Sequence, residues 1–168
     1  SLKNDVIWKE PNDGYFHHEI KQLPWGDYMG IVHEYQLGPI HATVSDILML
    51  YDQLGNGYVM DGVTDEWPWQ GDKLVIWDKD TQVPKWTWST FEHFSMSDYN
   101  SEHWNTPPAQ VDPVIPSNGG YFDWTHVNAF FYDERDGSIY ISTRDLSRIT
   151  KIQIQYDNGQ ITGGDIIW

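Results

Sequence analysis

Cysteine is absent from the 168 residues, which excludes disulfides and every Cys-ligated metal centre. No apolar run reaches about 18 residues, so membrane insertion by a helix is not expected. Basic residues are scarce: 10 Lys and Arg stand against 25 Asp and Glu, giving a formal net charge of −15. Nucleic acid and anionic membranes are recognised through Lys and Arg clusters, and no such cluster exists here, so both are excluded as partners. The N-terminal Ser-Leu-Lys-Asn has neither an initiator Met nor the apolar core of a signal peptide. The C-terminal Asp-Ile-Ile-Trp ends on an apolar, strand-like run, and the chain is expected to be part of something longer. Helical periodicity is nearly absent. Only residues 44–54 fit a short helix, with Ser45 as its cap and Gly55 as its stop.

Aromatics, by contrast, are abundant: 10 Trp, 10 Tyr and 6 Phe. Such side chains suit pleated surfaces, and buried Trp and Tyr need a partner for their polar edge. The chain reads as short apolar runs separated by turn residues, which is an all-β pattern. The clearest hairpin joins 126–132 to 138–144 through Asp133-Glu-Arg-Asp-Gly137. A second joins 147–156 to 160–168 through Asp157-Asn158-Gly159, with Gly163-Gly164 as a bulge. An earlier pair has the same order: 18–23 returns through 28–35, and 73–77 returns through 83–88. Two four-stranded antiparallel units, about 14–88 and 122–168, are therefore expected, with irregular inserts over 36–71 and 89–125. Four-stranded units repeated radially make a β-propeller, and 1–168 reads as a single partial propeller domain. A β-sandwich is the alternative fold.

Arginine occurs only at 135, 144 and 148. With the hairpin turn centred on Arg135, His126 faces Arg144, their Cβ atoms about 5 Å apart. Strand alternation puts Asn128 on the face of His126. A guanidinium offers a planar fork of donors to a tetrahedral oxyanion such as sulfate or phosphate. An imidazole can bind the same anion or protonate a departing oxygen. The plainer alternative is a structural Arg144 paired with an acid such as Asp123 or Asp145. His17 and His18 are adjacent, and regular strand geometry sends them to opposite faces, so at most one joins any site. The seven histidines are scattered without ligand spacing, and no metal or other cofactor is expected. A glycosidase needs a carboxylate pair across a cleft, and nothing in the sequence selects one.

These segments resemble one known family. Asp123-Trp-Thr-His126-Val-Asn128, then Ile141-Ser-Thr-Arg144 and 147–152, are similar to the bacterial arylsulfate sulfotransferases. So are His17-His18-Glu-Ile20 with Leu23-Pro-Trp-Gly26, and 72–77 through Lys85-Trp-Thr-Trp88. The resemblance implies a six-bladed propeller with its active site in a central funnel. It implies transfer of a sulfuryl group from an aryl sulfate to a phenol, through a histidine that is transiently sulfated. His18 and His126 match the two supporting histidines, and Arg144 matches the arginine. The attacking histidine lies downstream of that arginine in the family, whereas here no histidine follows His126. The expectation is thus a sulfotransferase-like chain whose nucleophile lies elsewhere, with the rest of a propeller or other protein chains as partners. The alternative is a noncatalytic propeller that binds sulfated or carbohydrate ligands or serves as a scaffold. The family's members are typically exported, which implies a periplasmic or extracellular location.

Overall fold

A computed structural model describes residues 6–11, 16–40, 61–99 and 121–168. The helix expected over 44–54 lies outside them. Among the described residues the chain runs through β1 (Phe16–Gln22), β2 (Tyr28–Pro39), β3 (Asp65–Trp77) and β4 (Pro84–Ser89), then a single helical turn α1 (Thr90–His93). It continues through β5 (Phe122–Asp123), β6 (Val127–Asp133), β7 (Ser138–Thr143), β8 (Arg148–Asp157) and β9 (Gln160–Ile166). The first sheet has the antiparallel order β1-β2-β3-β4, with β5 pairing parallel to the early part of β3. The second is the antiparallel meander β6-β7-β8-β9. The all-β class stands as expected, and the described strands form two sheets, the first of five strands with β5 parallel to β3 and the second of four. Strand also fills both ends of the first expected insert, since β2 runs to Pro39 and β3 begins at Asp65. The second insert opens on α1, where Ser89 caps the turn by accepting the Phe91 N–H.

The turns follow from local chemistry. Asp157 and Gln160 pair across Asn158 (φ 47°) and Gly159 (φ 85°), two left-handed residues that make a twist-matched two-residue hairpin. In the β6–β7 turn the Asp133 carboxylate accepts the Arg135 N–H at 3.0 Å, and Gly137 (φ 72°) returns its own N–H to the Asp133 carbonyl at 2.9 Å. Asp78 closes the β3–β4 turn in the same way, accepting the N–H groups of Asp80 and Thr81.

The two sheets stack with like strands over one another. Met29, Ile31, Leu74, Ile76, Trp86 and Trp88 of the first sheet share one core with Phe130, Ile139, Ile141, Ile152 and Ile154 of the second. At the β1–β6 edge the Glu19 carboxylate accepts the Phe130 N–H, and Lys21 Nζ donates to the Phe130 carbonyl. At the β4–β9 edge the indoles of Trp86 and Trp88 donate to the carbonyls of Gly163 and Gly164 at 3.1 and 2.9 Å. A smaller aromatic cluster, Ile40, Trp67, Trp69, Phe122 and Trp124, closes one end beneath the segment that leads into β6.

Candidate functional site

The site gathers at one end of the stack, where β1 and β6 begin and β7 finishes. The pairing of β1 with β2 shifts register between His17 and Ile20, and His18 sits at φ 60°. This bulge overturns the expectation that adjacent histidines must part. The left-handed residue breaks the alternation of faces, and the rings of His17 and His18 lie 4.9 Å apart. His33 of β2, which the sequence did not single out, joins them, its ring stacked on His17 at 3.7 Å.

Beneath these rings lies Asp72 of β3, only 2% exposed. Its carboxylate accepts His17 Nε2–H at 2.9 Å, Thr125 Oγ1–H at 2.6 Å and the Val127 N–H at 2.6 Å, with His33 Nδ1 3.6 Å away. Burial pushes the Asp72 carboxyl up, but the hydrogen bonds from His17, Thr125 and Val127, with the His33 imidazole close by, outweigh it and hold the group well below the usual carboxylate range. No motif marks this hub, because its partners come from three separate strands and the segment before β6.

His126 precedes β6 and also has a positive φ, 45°. Each such non-glycine residue costs on the order of 1–2 kcal/mol, so the surroundings must hold it in place. The β6–β7 register is centred one half-step from Arg135, pairing Asp133 with Ser138. A shift between Val127 and Ala129 then pairs Val127 with Thr143, and the Arg144 N–H reaches the His126 carbonyl at 3.1 Å. His126 and Arg144 therefore do face each other, through a bulge the sequence did not reveal. Asn128 falls within that irregularity, where simple alternation no longer assigns its face.

Two ion pairs frame the guanidinium. Arg144 donates from Nε (2.6 Å) and Nη2 (3.2 Å) to the buried Asp145 carboxylate, with Asp123 3.9 Å away. The acid pairing considered from sequence is thus present, yet it uses one edge of the fork. The side chain is 51% exposed, and a guanidinium with five N–H groups keeps donors for an anion. Asp123 also receives Nδ1–H of His126 in a short hydrogen bond, while Gln70 donates to its other oxygen at 3.3 Å and is itself held by Tyr35 Oη–H at 2.8 Å.

His126 Nε2 lies 3.1 Å from His18 Nε2. Two imidazoles in such contact share one proton between them. Burial, then His17 and His126, push His18 below the ordinary histidine value. The hydrogen bond to Asp123 raises His126 above it. The Asp123 carboxylate fixes a proton on His126 Nδ1, and the opposite shifts of the two rings favour His126 over His18 as holder of the proton between them. His17, His33 and Asp72 have the donor types of a metal site, as do Asp123, His126 and Asp145. In the first group the imidazole planes are 12° from parallel, so their lone pairs do not converge as they stand. In the second, Arg144 already supplies the positive charge.

A cleft of about 280 Å³ runs between β1 and β6 along Lys21, Leu23, Phe130 and Tyr132, and none of the site residues lines it. His18, His126 and Arg144 sit on an open rim instead. Compared with known proteins, residues 8–162 match the family described as Arylsulfotransferase (ASST). No curated protein and no solved structure matches the chain.

Proposed function

The chain belongs to the arylsulfotransferase family, and from that premise we propose that its rim of His18, His126 and Arg144 binds an aryl sulfate whose sulfuryl group passes to a phenolic acceptor. The observation that carries this reading is the 3.1 Å contact of His18 and His126 beside a half-exposed Arg144. As the sulfur–oxygen bond to the ring breaks, negative charge builds on the aryl oxygen and on the sulfuryl oxygens. Arg144 answers the second charge with the N–H groups that Asp145 leaves free. The imidazolium of His126 can give its Nε2 proton to the departing oxygen, after which Asp123 orients the neutral ring. The residues assigned here hold the sulfuryl group and assist the leaving phenolate; as that S–O bond breaks, sulfur bonds to a histidine supplied from outside these 168 residues, which then hands the group to the oxygen of the acceptor phenol. The same reading makes the two stacked meanders neighbouring blades of a propeller, in keeping with their like-over-like strand alignment.

Transfer of sulfate from a chromogenic aryl sulfate to phenol tests the assignment. Arg144→Ala is expected to lower kcat by about 10²- to 10³-fold, the usual cost of removing one donor to a developing charge. Unchanged transfer in that variant refutes it. The alternative outcome is binding of sulfated ligands without turnover. Its mark is saturable binding with no phenol released.

A further inference from the structure

Asp72 belongs to the first sheet, yet its carboxylate grips the second. One oxygen accepts from Thr125 and Val127, the two residues that flank His126. The other accepts from His17, which precedes His18. Thus a single buried side chain holds a neighbour of each histidine that meets at 3.1 Å. Both His18 and His126 occupy left-handed backbone that side chains disfavour, so neither position maintains itself. Asp72 is in turn fixed from behind: its own N–H donates to Thr90 Oγ1 at 2.9 Å. Gly71 lets that approach happen, since a Cβ there would lie 2.7 Å from Thr90 Oγ1 and from the Phe91 ring.

We propose that Asp72 is a positioning residue: by tying Thr125 and Val127, at the entry to β6, to His17 of β1, it keeps His18 and His126 in Nε2–Nε2 contact. The role requires a carboxylate. Three donors converge on its two oxygens, and a carboxamide has only one oxygen to offer. In Asp72→Asn that oxygen can serve Thr125 and Val127 while the NH₂ group turns to His17. His17 can accept it by moving its proton to Nδ1, an atom that has no partner now. The asparagine variant is therefore a partial replacement, and Asp72→Ala removes every link. The other ionisable groups facing the assembly are His33 on the Asp72 side and Asp123 with Arg144 on the His126 side.

The role rests on the sulfuryl-transfer reading only for its kinetic consequence, so the test has two arms on the same protein samples. Imidazole NMR titrations follow His18 and His126 in the unaltered protein, Asp72→Asn, Asp72→Ala and Thr125→Val. In the unaltered protein His126 is expected to hold its proton to higher pH than His18. In Thr125→Val, where no charge changes, the separation is expected to narrow as the two rings part; in Asp72→Ala and Asp72→Asn the lost carboxylate itself lowers His18, so there the mark is two titrations that no longer influence each other. In parallel, kcat on the aryl sulfate is expected to fall by about ten- to a hundredfold, the cost of misplacing reacting groups by roughly an ångström. KM is expected to change by no more than about twofold, since substrate still meets Arg144. Should Asp72→Ala not fold, Thr125→Val, which removes one donor at nearly constant volume, decides the matter. An undiminished separation in Thr125→Val, together with titrations that still influence each other in Asp72→Asn, overturns the proposal. A narrowed separation in Thr125→Val and uncoupled titrations in the Asp72 variants of a protein that never turns over aryl sulfate uphold it while removing the sulfuryl-transfer reading.

Discussion

At the scale of residues, the rim depends on carboxylates paired with its cationic groups. Asp123 raises the proton affinity of His126, and Asp145 holds one edge of Arg144. Replacing Asp123 by Asn removes the charge that favours imidazolium. His126 is then expected to lose its proton at lower pH in an NMR titration; an unmoved titration would show that Asp123 is not the cause. Linkage gives each group a sign. His126, with a raised folded value, stabilises below its unfolded value of about 6.5, and that contribution is lost as pH rises through the folded value. His18 is lowered, so its contribution is present above about 6.5 and is lost as pH falls through its folded value. Asp72 is also lowered, so its contribution is full above about 3.9 and lost in acid. Asp72→Asn should therefore flatten the acid side of the stability profile, measured by urea midpoints from about pH 5 to pH 3. An acid slope equal to that of the unaltered protein would contradict this. Arg144 and His126 were legible in the sequence because a basic residue is rare in so acidic a chain and the hairpin turn aligns the two. Asp72 and His33 were not. Asp72 is one of 25 acids, and its partners Thr125 and Val127 lie in another sheet.

At the scale of elements, the hairpins were readable because turn chemistry and apolar alternation agree over 126–144 and 147–168. The bulges that matter were not. At His17-His18 nothing resembles a glycine signal, and the left-handed residue is a histidine held by tertiary contacts. The early part of β3 was also hidden, because Trp67-Pro-Trp-Gln-Gly71 carries a proline and a glycine that argue against strand. The Gly163-Gly164 bulge was visible, and its structure shows why glycine stands there. A Cβ at Gly163 (φ 87°) would lie 2.7 Å from the Gln153 carbonyl, whereas one at Gly159 (φ 85°) would meet nothing within 4 Å. Gly159→Ala is expected to cost about 1–2 kcal/mol, the left-handed penalty alone. Gly163→Ala should cost more, because a backbone atom must also move. Denaturant unfolding compares the two, and equal losses would contradict the close approach.

At the scale of the whole molecule, the two sheets are joined by apolar burial and by a few polar ties at their edges. The Trp88 indole reaches the Gly164 carbonyl from the opposite sheet. Trp88→Phe keeps most of the apolar volume and leaves that carbonyl without its donor, at a cost of about 1–3 kcal/mol. A urea midpoint unchanged by the substitution would show that the tie contributes little. The formal charge of −15 sets the background for everything on the rim. An anionic ligand approaches a negative protein, so Arg144 and the His18–His126 proton supply the local attraction, and salt should alter the approach.

The claim on which the rest depends is that this rim receives an aryl sulfate. The direct measurement titrates a chromogenic aryl sulfate into the protein while the imidazole resonances of His18 and His126 are followed by NMR. Both are expected to shift together and saturate, and to stay unmoved in Arg144→Ala. Resonances that do not respond, or that respond equally without Arg144, would contradict the assignment.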